Sequence, residues 1–191
     1  MKKLIITLML LGLMANKTTA QTAEVKVNVL SAALAIFNPS LEVGFNSHSA
    51  ITLDYVGVFA KYDYYNTGYP FLLSMGSMGY RYYIKSDTHN GAFVGADLGF
   101  NTFVMSKNII PIVGHTGTDF FDIGCGTFMG TTLGYKLPIN ERWGTEFSIS
   151  GGWQHSWHEL YNFDGTLRTP MNASGEWLFY KAAISLTYKL F

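Results

Sequence analysis

Residues 94–100 read Val94-Gly95-Ala96-Asp97-Leu98-Gly99-Phe100, apolar at every second position with glycine or aspartate between. A period of two belongs to an extended strand, whose successive side chains point to opposite faces of a sheet. Here the face that carries charge is also the face stripped of side-chain volume.

The same division recurs along the chain. One parity is apolar: Val25, Val27 and Val29; Leu41, Val43 and Phe45; Ile51, Leu53 and Tyr55; Tyr80, Tyr82 and Ile84; Met129, Leu133, Tyr135 and Leu137; Phe147, Ile149 and Trp153; Leu178, Ala182, Ile184, Leu186, Tyr188 and Leu190. The other carries Lys26, Asn28, Glu42, Asp54, Arg81, Asp97, Lys136, Glu146, Lys181 and Lys189, interspersed with Gly44, Gly95, Gly99, Gly130, Gly134 and Gly152. Eight strands are predicted, at 24–34, 40–46, 49–59, 71–84, 91–104, 120–137, 143–155 and 177–190, and no 3.6-residue stripe competes with them.

A soluble lipocalin-like barrel also alternates, but it turns its apolar face inward and clothes the outside in charge. Only 14% of these residues are charged, beside 16% aromatic residues and 20 glycines, against roughly 25% charged in an ordinary soluble domain. A narrow polar interior and a lipid-facing exterior fit better. The expected fold is all-β: an eight-stranded antiparallel up-and-down transmembrane β-barrel.

Connections at 47–48, 85–90 and 138–142 are short, whereas those at 60–70, 105–119 and 156–176 are long. Outer-membrane barrels keep short turns in the periplasm and long loops outside, so both termini are expected in the periplasm and Ala35–Pro39 in the first external loop. Aromatic girdles at the headgroup level are expected from Phe59, Tyr62, Tyr64 and Tyr65 at one end, and from Tyr80, Tyr82, Tyr83 and Trp143 at the other.

The first 20 residues read as a cleaved signal peptide: Lys2-Lys3, an apolar run from Leu4 to Met14, then Thr18 and Ala20 before the cut. Residues 21–191 then form one barrel domain. The single cysteine, Cys125, offers neither an internal disulfide nor an N-terminal lipid anchor. With 13 basic and 13 acidic residues, the chain makes no electrostatic case for nucleic acid.

At Val25-Lys26-Val27-Asn28-Val29-Leu30 and Asn38-Pro39-Ser40-Leu41-Glu42-Val43-Gly44, with Arg81-Tyr82-Tyr83 on the fourth strand, the chain resembles an uncharacterised family of Bacteroidetes outer-membrane barrels. That family is known only as a domain of unknown function, within the range of small OmpA/OmpX-like barrels. The resemblance implies a fold and a compartment, not an activity. The terminal Phe191 looks like the aromatic read by the barrel-assembly machinery, but it falls on the parity opposite Leu190, Tyr188 and Leu186, a mismatch that a β-bulge would repair.

Eight strands enclose a lumen only wide enough for side chains, and charges kept from water need partners. Lys26, Arg81, Lys136, Lys181 and Lys189 are therefore expected to pair with Glu42, Asp54, Asp97 and Glu146 as a plug. Arg81 is the natural hub, since its fork serves two carboxylates, and Glu42 is its first candidate partner. A gated proton or ion path is the alternative.

Gln154-His155-Ser156-Trp157-His158-Glu159 gathers histidine, hydroxyl and carboxylate near the last external loop. Lipid A-modifying barrels place a His-x-Ser pair on a strand, but two residues beyond His155 stands Trp157, and the adjacent Ser156 faces the other way. Three ligands in one loop make a weak zinc site, and His48, His89 and His115 are scattered singly. No strand, glycine turn and helix succeed one another as a phosphate cradle requires. The expectation is a non-enzymatic barrel without cofactor or metal. It would meet outer-membrane lipids and lipopolysaccharide, and present Tyr64, Tyr65, Tyr69, Phe163 and Arg168 to an extracellular protein or glycan for envelope integrity, adhesion or partner binding. The rivals are a lipid A- or phospholipid-modifying enzyme and a narrow ion channel.

Overall fold

The computed structural model describes residues 22–60, 70–85, 89–106 and 120–191. Residues 1–21 with the expected signal peptide, most of the connections at 60–70 and 105–119 with Tyr62, Tyr64, Tyr65, Tyr69 and His115, and residues 86–88 lie outside the described residues.

Eight antiparallel strands pair in chain order and close on themselves: β1 (Thr22–Asn28), β2 (Pro39–Gly44), β3 (Ser49–Ala60), β4 (Phe71–Tyr83), β5 (Gly91–Met105), β6 (Phe120–Pro138), β7 (Trp143–Asn162) and β8 (Leu167–Lys189). A short helix, α1 (Val29–Ala33), follows β1. Up-and-down closure of the sheet is thus established.

The register fixes the barrel's dimensions. Followed across the strands from Val25, the ladder runs through Leu41, Leu53, Met78, Leu98, Met129 and Trp153 to Trp177, yet Val25 itself pairs with Tyr188. The circuit therefore closes eleven residues out of step along β8. One of these is a bulge, because Ser150 pairs with Lys181 and Gly151 with Phe179, leaving Tyr180 unmatched. A stagger of ten over eight strands tilts them by about 40° and leaves an interior that side chains can fill. At that tilt a strand climbs about 2.5 Å per residue.

Three strand ends depart from the sequence reading. β1 stops at Asn28, not 34, because the Asn28 carboxamide accepts from the Leu30 and Ser31 amides and caps α1. The same side chain accepts from the Ile184 amide at 3.2 Å and donates to the Ala182 carbonyl at 3.1 Å, standing in for the β1 backbone where β1 leaves the sheet. Asn28→Ala is expected to cost about 1–2 kcal/mol, read as a lower urea midpoint with the barrel still closed.

Residues 156–176 are not a loop. They lie almost wholly in β7 and β8, which run on as a hairpin turned at Phe163–Thr166. The cause is the pairing of His158 with Asn172 and Tyr161 with Leu167, which continues the ladder, and a tip whose Gly165 takes a positive φ of 84°. There the Thr166 hydroxyl and amide hold the Asp164 carboxyl below its ordinary range, so this brace persists at neutral pH and is lost only as acid passes that lowered value.

The bulge at Tyr180 also reverses the parity of upper β8. Phe179 and Trp177, not Leu178, face outward. At the C-terminus the Leu190 amide donates to the Ala23 carbonyl at 2.7 Å, while the Ala23 amide donates to the Phe191 carbonyl at 3.3 Å. Two residues thus oppose one, and Leu190 and Phe191 are both exposed.

Candidate functional site: the charged lumen

The interior is layered along the barrel axis. At the end that holds both termini, the ring of His89, fully buried in the β4–β5 connection, meets Thr22 at 3.1 Å and stands edge-on to Tyr83 at 5.2 Å. Tyr83 packs on Phe93 at 5.3 Å between ring centres. Tyr83 is therefore no girdle residue. It shares inward parity with Arg81, while Tyr80 and Tyr82 face out.

Above this aromatic floor the stagger of the strands brings Lys26 of β1, Glu42 of β2, Arg81 of β4 and Glu146 of β7 to one height. Lys26 donates to Glu42 at 2.6 Å and also to Glu146. Arg81 Nη1 donates to Glu42 Oε2 at 3.0 Å and to both Glu146 oxygens at 2.8 Å. The remaining Glu42 oxygen accepts from the Tyr83 hydroxyl at 2.7 Å. The guanidinium lies over Phe93 at 4.6 Å, and the Lys136 ammonium lies 5.8 Å from the Tyr83 ring centre. Lys136 pairs with Glu24.

Further along, Lys181 donates to Asp54 at 2.5 Å. Among the described residues Asp97 has no ion pair, and it accepts instead from the hydroxyls of Thr132 and Tyr180. Phe128, buried and packed on Tyr180 at 4.8 Å, closes the layer from above. Lys189 sits cross-strand from Glu24 near the open end, with no ion pair among the described residues.

The paired cations Lys26, Arg81, Lys136 and Lys181 balance the carboxylates Glu24, Glu42, Asp54 and Glu146. Such pairing is what burial demands, since an unmatched ion in a dry interior costs several kcal/mol. The cavity between the ion pairs and Asn38, Ser40 and Ser185 measures only about 10 Å³, the space of one water, and admits no hydrated ion.

Glycine makes this packing possible. A Cβ at Gly134 would stand 2.3 Å from the Phe93 ring, and one at Gly99 2.2 Å from Phe128. The inner-face glycines thus seat rings as well as charges.

Parity alone would have found Glu24, two residues before Lys26, and also Phe93, two before Gly95. Of the inward rings the sequence reading places only Tyr83, and places it in an outer girdle. His89 carried no such signal, because a turn folded back into the barrel mouth has no period.

The histidine cluster is divided between the two faces of β7. His155 packs on Trp157 at 4.6 Å, whereas Ser156 is buried on the inner face. Glu159 accepts from Tyr161. Among the described residues no group of three His, Cys, Asp or Glu is placed to hold a metal.

An eight-stranded antiparallel ring with a balanced, stoppered core defines a closed β-barrel stem. The chain belongs to the family described as "Protein of unknown function (DUF3575)", matched over residues 4–190. No curated protein and no solved structure matches it.

Proposed function

We propose that this chain is a non-enzymatic outer-membrane barrel, exported by its signal segment and inserted by the barrel-assembly machinery with Phe191 as part of the signal. Its stem is held shut by the ion pairs around Arg81, its termini face the periplasm, and its opposite end serves envelope integrity, adhesion or partner binding. The observation that carries this reading is the inversion of the barrel: paired charges inside, and exposed apolar side chains outside on every strand, Leu53, Met78, Leu98 and Met129 among them.

The spacing of the outer aromatics supports it. Near the termini Trp143 packs edge-on to Tyr188 at 4.8 Å, and Phe45 lies beside Tyr80. Ten residues along β7, Trp153 packs on Trp177. At about 2.5 Å per residue the two belts stand about 25 Å apart, the height of the apolar band of an outer-membrane barrel. Among the described residues no helix is long and apolar enough to cross a membrane, a criterion that does not bear on strands.

Ile149, exposed on β7 between Trp143 of one belt and Trp153 of the other, gives the deciding variant. In lipid, Ile149→Lys is expected to destabilise the barrel by about 2–4 kcal/mol, measured by urea unfolding in vesicles. On a barrel surrounded by water the same change would be neutral or solubilising. Recovery of the wild-type protein in the soluble periplasmic fraction, with no change in gel mobility on boiling, would overturn the assignment.

A further inference from the structure

We propose that the unpaired edge of β8 above the barrel docks an extended strand of another polypeptide, which adds antiparallel to β8. The proposal deepens the partner-binding reading above, and rests on it for the direction in which the edge projects.

β1 accompanies β8 only from Lys189 to Ser185. The Asn28 carboxamide then bonds Ile184 and Ala182, and α1 lies against β8. From Lys181 up to Leu167, the ladder of β8 among the described residues is to β7 alone. Antiparallel pairing alternates the direction of backbone groups, so Ala173, Gly175 and Trp177 turn their N–H and C=O toward the open side. A row of unpaired backbone groups is a template for one more strand.

Edges not meant to pair are blunted with proline, lysine or arginine. On β8 these lie at the ends of the run, as Arg168, Pro170 and Lys181, while Met171–Tyr180 between them holds one charge, Glu176. The two faces of that stretch also differ. Trp177 and Phe179 face outward, 77% and 82% exposed, beside Trp153 at 5.8 Å from Trp177. Asn172, Ser174 and Glu176 lie on the other face. An incoming strand with apolar residues on the Trp177 side and polar residues on the other continues both faces.

A second copy fits poorly. In one membrane both β8 strands descend, so a two-fold axis along the membrane normal would bring like-directed strands together with their aromatic faces turned opposite ways. A different polypeptide has no such constraint.

The test uses the full mature chain and amide hydrogen exchange, first in native outer-membrane vesicles and then after detergent extraction, with a peptide of alternating threonine and valine as the probe. Residues 172–180 are expected to exchange slowly in the vesicles and fast after extraction. Adding the peptide is expected to slow them again by at least about tenfold. Ala173→Pro removes one outward N–H without touching the β7 ladder, and is expected to abolish both protections while the boiling-dependent gel shift persists.

Equal exchange before and after extraction, with no response to the peptide, overturns the proposal. Protection that follows co-purification of two differently tagged copies overturns the choice of a different polypeptide. A chain found soluble, without the gel shift, refutes the membrane reading instead, and the peptide titration then tests the edge in buffer.

Discussion

Arg81→Met is expected to destabilise the barrel by about 3–5 kcal/mol, enough to abolish the folded form on unboiled gels, because it strands the buried carboxylate of Glu146 beside one cation, Lys26, which Glu146 shares with Glu42, and leaves Glu42 that ammonium and the more distant Lys136 at 3.7 Å. The loss is electrostatic more than steric, since methionine fills much of the same space. Two further variants separate these causes. Arg81→Lys retains the charge, but one ammonium replaces a planar donor bonded to both glutamates, and a partial loss is expected. Adding Glu146→Gln to Arg81→Met removes one stranded charge and is expected to restore stability relative to Arg81→Met alone. Urea unfolding in vesicles measures all three. A full additive loss in the double variant would show that the two residues do not share a network.

Why so much of this core could be read from the sequence, and some could not, follows from what each feature depends on. The face of Lys26, Glu42, Arg81 or Glu146 is a matter of parity, and parity survives any error in strand ends. Their convergence at one height depends on the stagger of the closed sheet, which is a sum over eight registers and is written in no single segment. Tyr180 illustrates the limit. One unmatched residue carries its ring inward to Asp97 and sends Trp177 and Phe179 outward in place of Leu178, and no local pattern marks the position. The hairpin at 156–176 was hidden for another reason. Thr169-Pro170 and Asn172-Ala173-Ser174-Gly175 have the composition of a loop, yet their pairing with β7 holds them extended, so tertiary context overrides propensity.

Phe93→Ala is expected to cost about 3–5 kcal/mol, the range for a large aromatic removed from a close-packed core. Phe93 is almost wholly buried, supports the Arg81 guanidinium on its face, and packs against Tyr83. Its removal therefore opens a cavity directly below the ion pairs, and water reaching it weakens every charge contact above. The structure also names the residue that shares this space. Gly134 faces the Phe93 ring so closely that a Cβ there would stand 2.3 Å from it, and 2.8 Å from the Phe147 carbonyl oxygen. In the native barrel Gly134→Val overpacks and is expected to lose about 1–3 kcal/mol. In the Phe93→Ala background the ring is gone and only the Phe147 carbonyl crowds the same Cβ, so Gly134→Val is expected to cost less there than in the native barrel. Urea midpoints of the four proteins complete the cycle. Losses that simply add would mean that ring and glycine do not share this space, and that the inner-face glycines are there for some purpose other than seating rings.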